Sequence, residues 1–118
     1  MNIEEYRKYC LAKKGVTEEF PFGPDTLVFK VMGKMFALTG LESNPYKISL
    51  KCDPGRAIKL REEFDGLITS AYHFNKKHWN SISPETLPPG LVRELIDHSY
   101  ELVVSKLPKK LQNDLVSC

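Results

Sequence analysis

The chain has 118 residues, with 17 Lys+Arg against 15 Asp+Glu and a formal net charge of +2. Its 42% hydrophobic and 27% charged residues are ordinary for a globular protein and exclude a disordered one; the length predicts one domain over residues 1–118. No run of about 18 apolar residues occurs, which excludes a helical membrane span, and +2 is small for a surface built wholly for nucleic acid.

The first ten residues are acidic and polar where an export signal is basic and then apolar, so the expected location is the cytoplasm. Cys10, Cys52 and Cys118 are odd in number and lack CxxC spacing. Neither a disulfide framework nor a zinc site is indicated. Cys10 and Cys52 fall on apolar periodicities and read as small buried hydrophobes.

The first element is a helix capped by Asn2, with Glu4 and Glu5 in its first turn. Ile3, Tyr6, Cys10 and Leu11 recur on one face, and Gly15 follows as a stop. Val16 to Thr26, with Pro21, Gly23 and Pro24, reads as a loop. Leu27 to Met32 and Met35 to Thr39 read as strands joined by a tight turn at Gly33-Lys34. Asn44-Pro45 marks a turn before the third strand, Tyr46 to Cys52. There Tyr46, Ile48, Leu50 and Cys52 point one way and Lys47, Ser49 and Lys51 the other, which predicts one buried and one wet sheet face.

Asp53-Pro54 starts the second helix as N-cap and first helical residue, and Asp65-Gly66 ends it. Leu67 to Ala71 and Trp79 to Ile82 read as short strands around a polar loop. After Pro84, Pro88 and Pro89, a long helix carries Leu91, Val92, Leu95, Ile96, Ser99, Leu102 and Val103 on one stripe. Pro108 stops it, and Lys109 to Val116 is a candidate terminal helix. The order αβββαββα predicts an α+β two-layer sandwich, with an antiparallel five-stranded sheet and helices on one face.

No GxSxG, HExxH, GxxxxGK[ST] or GxGxxG occurs, and each carboxylate sits where a helix end or solvated face explains it. The expectation is a non-enzymatic protein without cofactor. His73 and His78 could share a loop site, but no Cys or carboxylate lies between them to complete a metal set, and His98 lies next to Asp97 on the last helix; metal or small-ligand binding at His73, His78 and the sheet face is the weakest of the expectations. Charge distribution says more. Residues 67–83 hold Lys76 and Lys77 and no acid, while the rest of the chain is nearly balanced. The segment Ala71 to Asn80, AYHFNKKHWN, mixes lysines and histidines with asparagines and aromatic rings. Lysines neutralise phosphates, asparagines donate to phosphate or read adenine, and rings stack on unpaired bases. The same residues also suit a solvated turn anchored by Tyr72 and Trp79. Lys47, Lys51 and Lys30 suggest a second, weakly basic surface on the wet face.

YCLAKKGVTEEFPFG, VFKVMGKMFAL, SLKCDPGRA, AYHFNKKHWNSI and LIDHSYELVVSKLPKK together resemble the MmcQ/YjbR family along almost the whole chain. Two departures are Phe74, where relatives carry Met, and SPETLPPG in place of an Asp-Gly-Ser type turn. The resemblance implies a secretion-chaperone-like or frataxin-like two-layer domain and a "double wing" that binds DNA. It implies one wing at Tyr72 to Asn80 and the other at the hairpin around Gly33 and Lys34. Lys34, Lys76 and Lys77 are then the expected phosphate contacts. His73, Asn75 and His78 are the expected polar contacts, and Trp79 anchors the loop from below. The rival expectation is a protein-interaction module using the open sheet face or the long helix. The sequence leaves open whether the chain is a monomer or a dimer.

Overall fold

The computed structural model describes residues 1–71 and 74–117. Its elements in chain order are α1 (Ile3–Leu11), β1 (Val16–Glu19), β2 (Thr26–Val31), β3 (Lys34–Gly40), β4 (Ile48–Lys51), α2 (Pro54–Glu63), β5 (Ile68–Ser70), β6 (Trp79–Ile82), α3 (Pro89–Ser105) and α4 (Lys109–Val116). The strands form one antiparallel sheet in the order β1-β2-β3-β4-β6-β5.

The expected sheet of five strands and the order αβββαββα are therefore corrected to six strands and αββββαββαα. The missing strand is Val16–Glu19, read from sequence as loop. Four residues are too few to show a period, and the prolines and glycine that follow mask them. Pairing with β2 makes the strand, from Val16 opposite Val31 to Glu19 opposite Val28. Val16 and Glu18 share the helix side, where Arg7 of α1 meets Glu18 at 2.6 Å.

Helix ends follow the local chemistry. Asn2 and Glu5 form a reciprocal capping box on α1. Asp53 caps α2 through the Arg56 N–H, with Pro54 in the first turn. The core lies between the helices and one sheet face. It joins Tyr6, Cys10, Ala57, Leu60, Val92, Leu95, Ile96, Val103 and Leu115 to Leu27, Phe29, Val31, Ala37, Ile48, Leu50, Ile68 and Ile82.

β3 is bulged. Phe29 pairs with Ala37 but Lys30 pairs with Met35, so Phe36 is the extra residue. Buried Ser99 of α3 resolves the consequence: its hydroxyl donates to the Phe36 carbonyl at 2.6 Å and accepts the Lys51 N–H at 2.9 Å. One side chain thus fixes α3 across the bulge and the end of β4.

The opposite sheet face carries Thr26, Val28, Leu38, Ser49, Ser81 and Trp79. It is less open than the alternation in strand Tyr46 to Cys52 suggested. Val28 is fully buried and Trp79 is 9% exposed; Phe74 stacks on Trp79, and Phe22 and Phe74 from two loops line a hollow with Leu38 and Thr26.

Candidate nucleic-acid interface

The acid-free segment is the loop between β5 and β6. Tyr72 and His73, the latter an expected polar contact, lie outside the described residues. The remainder is tightly braced. The half-buried Phe74 ring stacks on buried Trp79, with centroids 4.8 Å apart and planes inclined by 26°. Asn75 closes the turn: its side-chain oxygen accepts the Lys77 N–H at 3.0 Å, and its carbonyl accepts the N–H groups of His78 and Trp79 at 3.0 and 3.1 Å. The Cys52 N–H donates to the His78 carbonyl at 2.7 Å. From α2, Arg61 donates to the Lys76 carbonyl at 3.2 Å and to the Asn80 side-chain oxygen at 2.8 Å. Lys76 and Lys77 themselves are exposed.

The other candidate wing is the β2–β3 hairpin. Its turn sits one residue earlier than the sequence suggested, at Met32 (φ 49) and Gly33 (φ 84). Positive φ at both central residues is the two-residue turn that matches strand twist. Lys34 therefore opens β3, where it is exposed opposite Val31.

Strand register relates the two. Ala37 lies opposite Leu50, so the Lys34 end of β3 runs beside the Lys51 end of β4. Lys51 in turn lies opposite Trp79. The hairpin and the Lys76–Lys77 loop thus occupy the same end of the sheet.

The second basic surface does not form as the sequence suggested. Lys30 is paired with Glu19 at 3.3 Å, and Lys47 lines a shallow cleft with Ser49, Ser81 and Phe74 towards the other end of β4. Lys51 joins Lys34, Met35, Val103, Lys106 and Leu107 around a separate depression. Its ammonium is held below the usual lysine range, first by partial burial and then by repulsion from Lys106. Asn80, counted by composition with the loop's polar groups, faces α2 and is buried. Its amide donates to the Ala57 carbonyl at 3.3 Å. Sequence reasoning missed Arg61 and Lys106, because both reach their places from helices remote in the chain. Among the described residues, no three His, Cys, Asp or Glu are grouped to hold a metal, and no helix is long and apolar enough to cross a membrane.

The YjbR family model matches residues 11–102. The chain belongs to the YjbR family. This YjbR-family chain is 32% identical over 117 residues to the uncharacterized protein YjbR of Escherichia coli K12, covering 98% of each. It is 43% identical over 95 residues to the uncharacterized protein YbdF of Escherichia coli O157:H7, covering 79% of this chain and 76% of that one. Among solved structures it is similar to Deinococcus radiodurans protein DR2400, described with a DUF419 domain. The TM-score is 0.90 at 38% identity, over 97% of this chain and 87% of that one. A Pseudomonas syringae protein gives a TM-score of 0.73 at 27% identity, over 86% and 98% of the two chains. Lys34 and the Lys76–Lys77 loop fall inside the matched family segment, whereas Lys106 lies beyond it.

Proposed function

We propose that this YjbR-family protein binds DNA without catalysing a reaction and without a cofactor, acting in the cytoplasm. The two β connections serve as wings. Lys34, Lys76 and Lys77 contact phosphates, and His78 lies beside them. Trp79 holds the loop through Phe74, and Asn75 sets its turn. The observation that carries this reading is the register, which supports placing both lysine-bearing connections at one end of the sheet. Residues 67–83 add no acid to oppose a phosphate backbone.

The test is fluorescence anisotropy with labelled duplex and single-stranded DNA at two salt concentrations. Three phosphate contacts give a log–log salt slope of about −3, and Lys76→Glu with Lys77→Glu reduces it by about 2 units with a large loss of affinity. An unchanged slope in the double variant removes the loop from the interface.

A second reading, a protein-interaction surface on the sheet face, is favoured by a different observation. Phe22, which lines a hollow with Thr26 and Leu38 of that face, is 64% exposed. α3 already presents its apolar stripe to the sheet, so the face rather than the long helix is the surface for this reading. Light scattering that shows a salt-insensitive dimer, dissociated by Phe22→Ser, supports it; a monomer at every concentration rejects the dimeric form.

A further inference from the structure

We propose that the depression between the start of β3, the end of β4 and the C-terminal end of α3 binds a phosphomonoester, held by Lys34, Lys51 and Lys106. It is an open hollow of about 230 Å³, with Met35, Val103 and Leu107 as its apolar walls. Lysines from three parts of the fold line it, and Lys51 and Lys106 are close enough to repel each other. Among the described residues, none of the three lies within ion-pair distance of a carboxylate, whereas Arg7, Lys13, Lys30 and Arg56 each do.

Isolated surface lysines need no partner. Lysines gathered around one hollow are different, because they repel each other and apolar walls weaken the screening between them. Partial burial first, and repulsion from Lys106 second, hold the Lys51 ammonium below the usual lysine range, and a bound anion relieves the repulsion. The Lys51 backbone is itself fixed, since its N–H donates to buried Ser99.

The chemistry favours a monoester over a carboxylate or a backbone diester. A phosphomonoester carries about −1.5 to −2 charges at neutral pH and three acceptor oxygens, which suits three lysine point charges. The hollow exceeds one phosphate group in size, and the apolar walls provide contact for the carbon skeleton attached to it. Such a group comes either from a free small molecule or from the 5′-phosphorylated end of a nucleic acid strand. The inference goes beyond the DNA reading, because Lys51 and Lys106 belong to neither wing.

Nuclear magnetic resonance titration of the full chain tests it. The probes are AMP, adenosine, and one short single strand in its 5′-phosphorylated and 5′-hydroxyl forms. The expected result is that AMP or the 5′-phosphorylated strand shifts the resonances of Lys51, Val103 and Lys106, while adenosine does not. Lys51→Gln with Lys106→Gln is expected to weaken that binding at least tenfold. Lys76→Glu with Lys77→Glu, which tests the loop, is expected to leave AMP binding unchanged. A preference for the 5′-phosphorylated strand over AMP identifies a strand end as the source; equal or tighter AMP binding identifies a free small molecule. No phosphate-dependent shift, or affinity unaltered by Lys51→Gln with Lys106→Gln, overturns the proposal. Thermal melting of that variant controls for folding, and removing mutually repelling charges is expected to leave the melting temperature unchanged or higher.

Discussion

Ser99 shows how one buried polar residue sets the geometry around it. Its place on the apolar stripe of α3 makes it look like a small spacer, but its hydroxyl serves two backbone groups that the sheet leaves unpaired. The bulge at Phe36 frees a carbonyl, and the last residue of β4 has an N–H to satisfy. Replacing Ser99 with Ala removes the one hydroxyl that partners both groups and creates almost no cavity. The cost is that of leaving buried backbone groups unsatisfied, about 1–3 kcal/mol for each. Urea denaturation of Ser99→Ala is expected to show a lower midpoint with an unchanged slope, since the surface exposed on unfolding hardly changes. Thr at the same position keeps a hydroxyl and is expected to recover part of the loss; full stability in Ser99→Ala contradicts the bridging role.

At the scale of elements, the β5–β6 loop depends on α2. Arg61 contacts a carbonyl of the loop and the carboxamide of Asn80 at once, so it holds Lys76 and Lys77 without presenting its own charge as they do. Arg61→Ala is expected to cost about 1–3 kcal/mol, because Asn80 is buried and loses a charged donor. It is also expected to lower DNA affinity with both lysines intact. Amide exchange at residues 75–78 reads this effect directly, and unchanged protection there rejects the bracing role. Long-periodic elements were legible in the sequence: the capping residues Asn2 and Asp53 and the α3 stripe all stand where pattern placed them. The strand Ile48–Lys51 was legible from its alternation, with ends shorter than expected. β1 was not, because tertiary pairing rather than its four residues creates it. The candidate loop was visible as an acid-free segment, yet the roles inside it were not. Asn75 is engaged by its own turn, Asn80 by α2, and the Lys51 cluster draws on a lysine 55 positions further along the chain.

For the whole molecule, the core holds several weak acids in their neutral forms. Burial pushes the Cys10 thiol from 9.0 up to about 12, against the opposing pull of Lys13 and with a further rise from Asp97. Burial likewise raises the Tyr6 and Tyr46 hydroxyls. It also carries Tyr9 from 10.0 to about 12, aided by its hydrogen bond to Asp97. In the unfolded chain these groups ionise near their ordinary values, so above about pH 9 the unfolded state binds fewer protons than the native state. Stability then falls as pH rises, by up to about 1.4 kcal/mol per pH unit for each deeply buried group, and by less for Tyr9 and Tyr46, which solvent screens. Between pH 9 and 10 the thiols of Cys10 and Cys52, the latter also pushed up by burial, are the groups whose ordinary value has been passed, and beyond pH 10 the tyrosines join them. Urea midpoints measured from pH 8 to 11 are therefore expected to fall with a steepening slope. Cys10→Ala lowers stability at pH 8 by opening a small cavity, yet it is expected to make the fall between pH 9 and 10 shallower, with the Cys52 share remaining, and leave the later fall in place. Parallel curves for the two proteins across that interval contradict a buried neutral thiol, whatever their vertical separation.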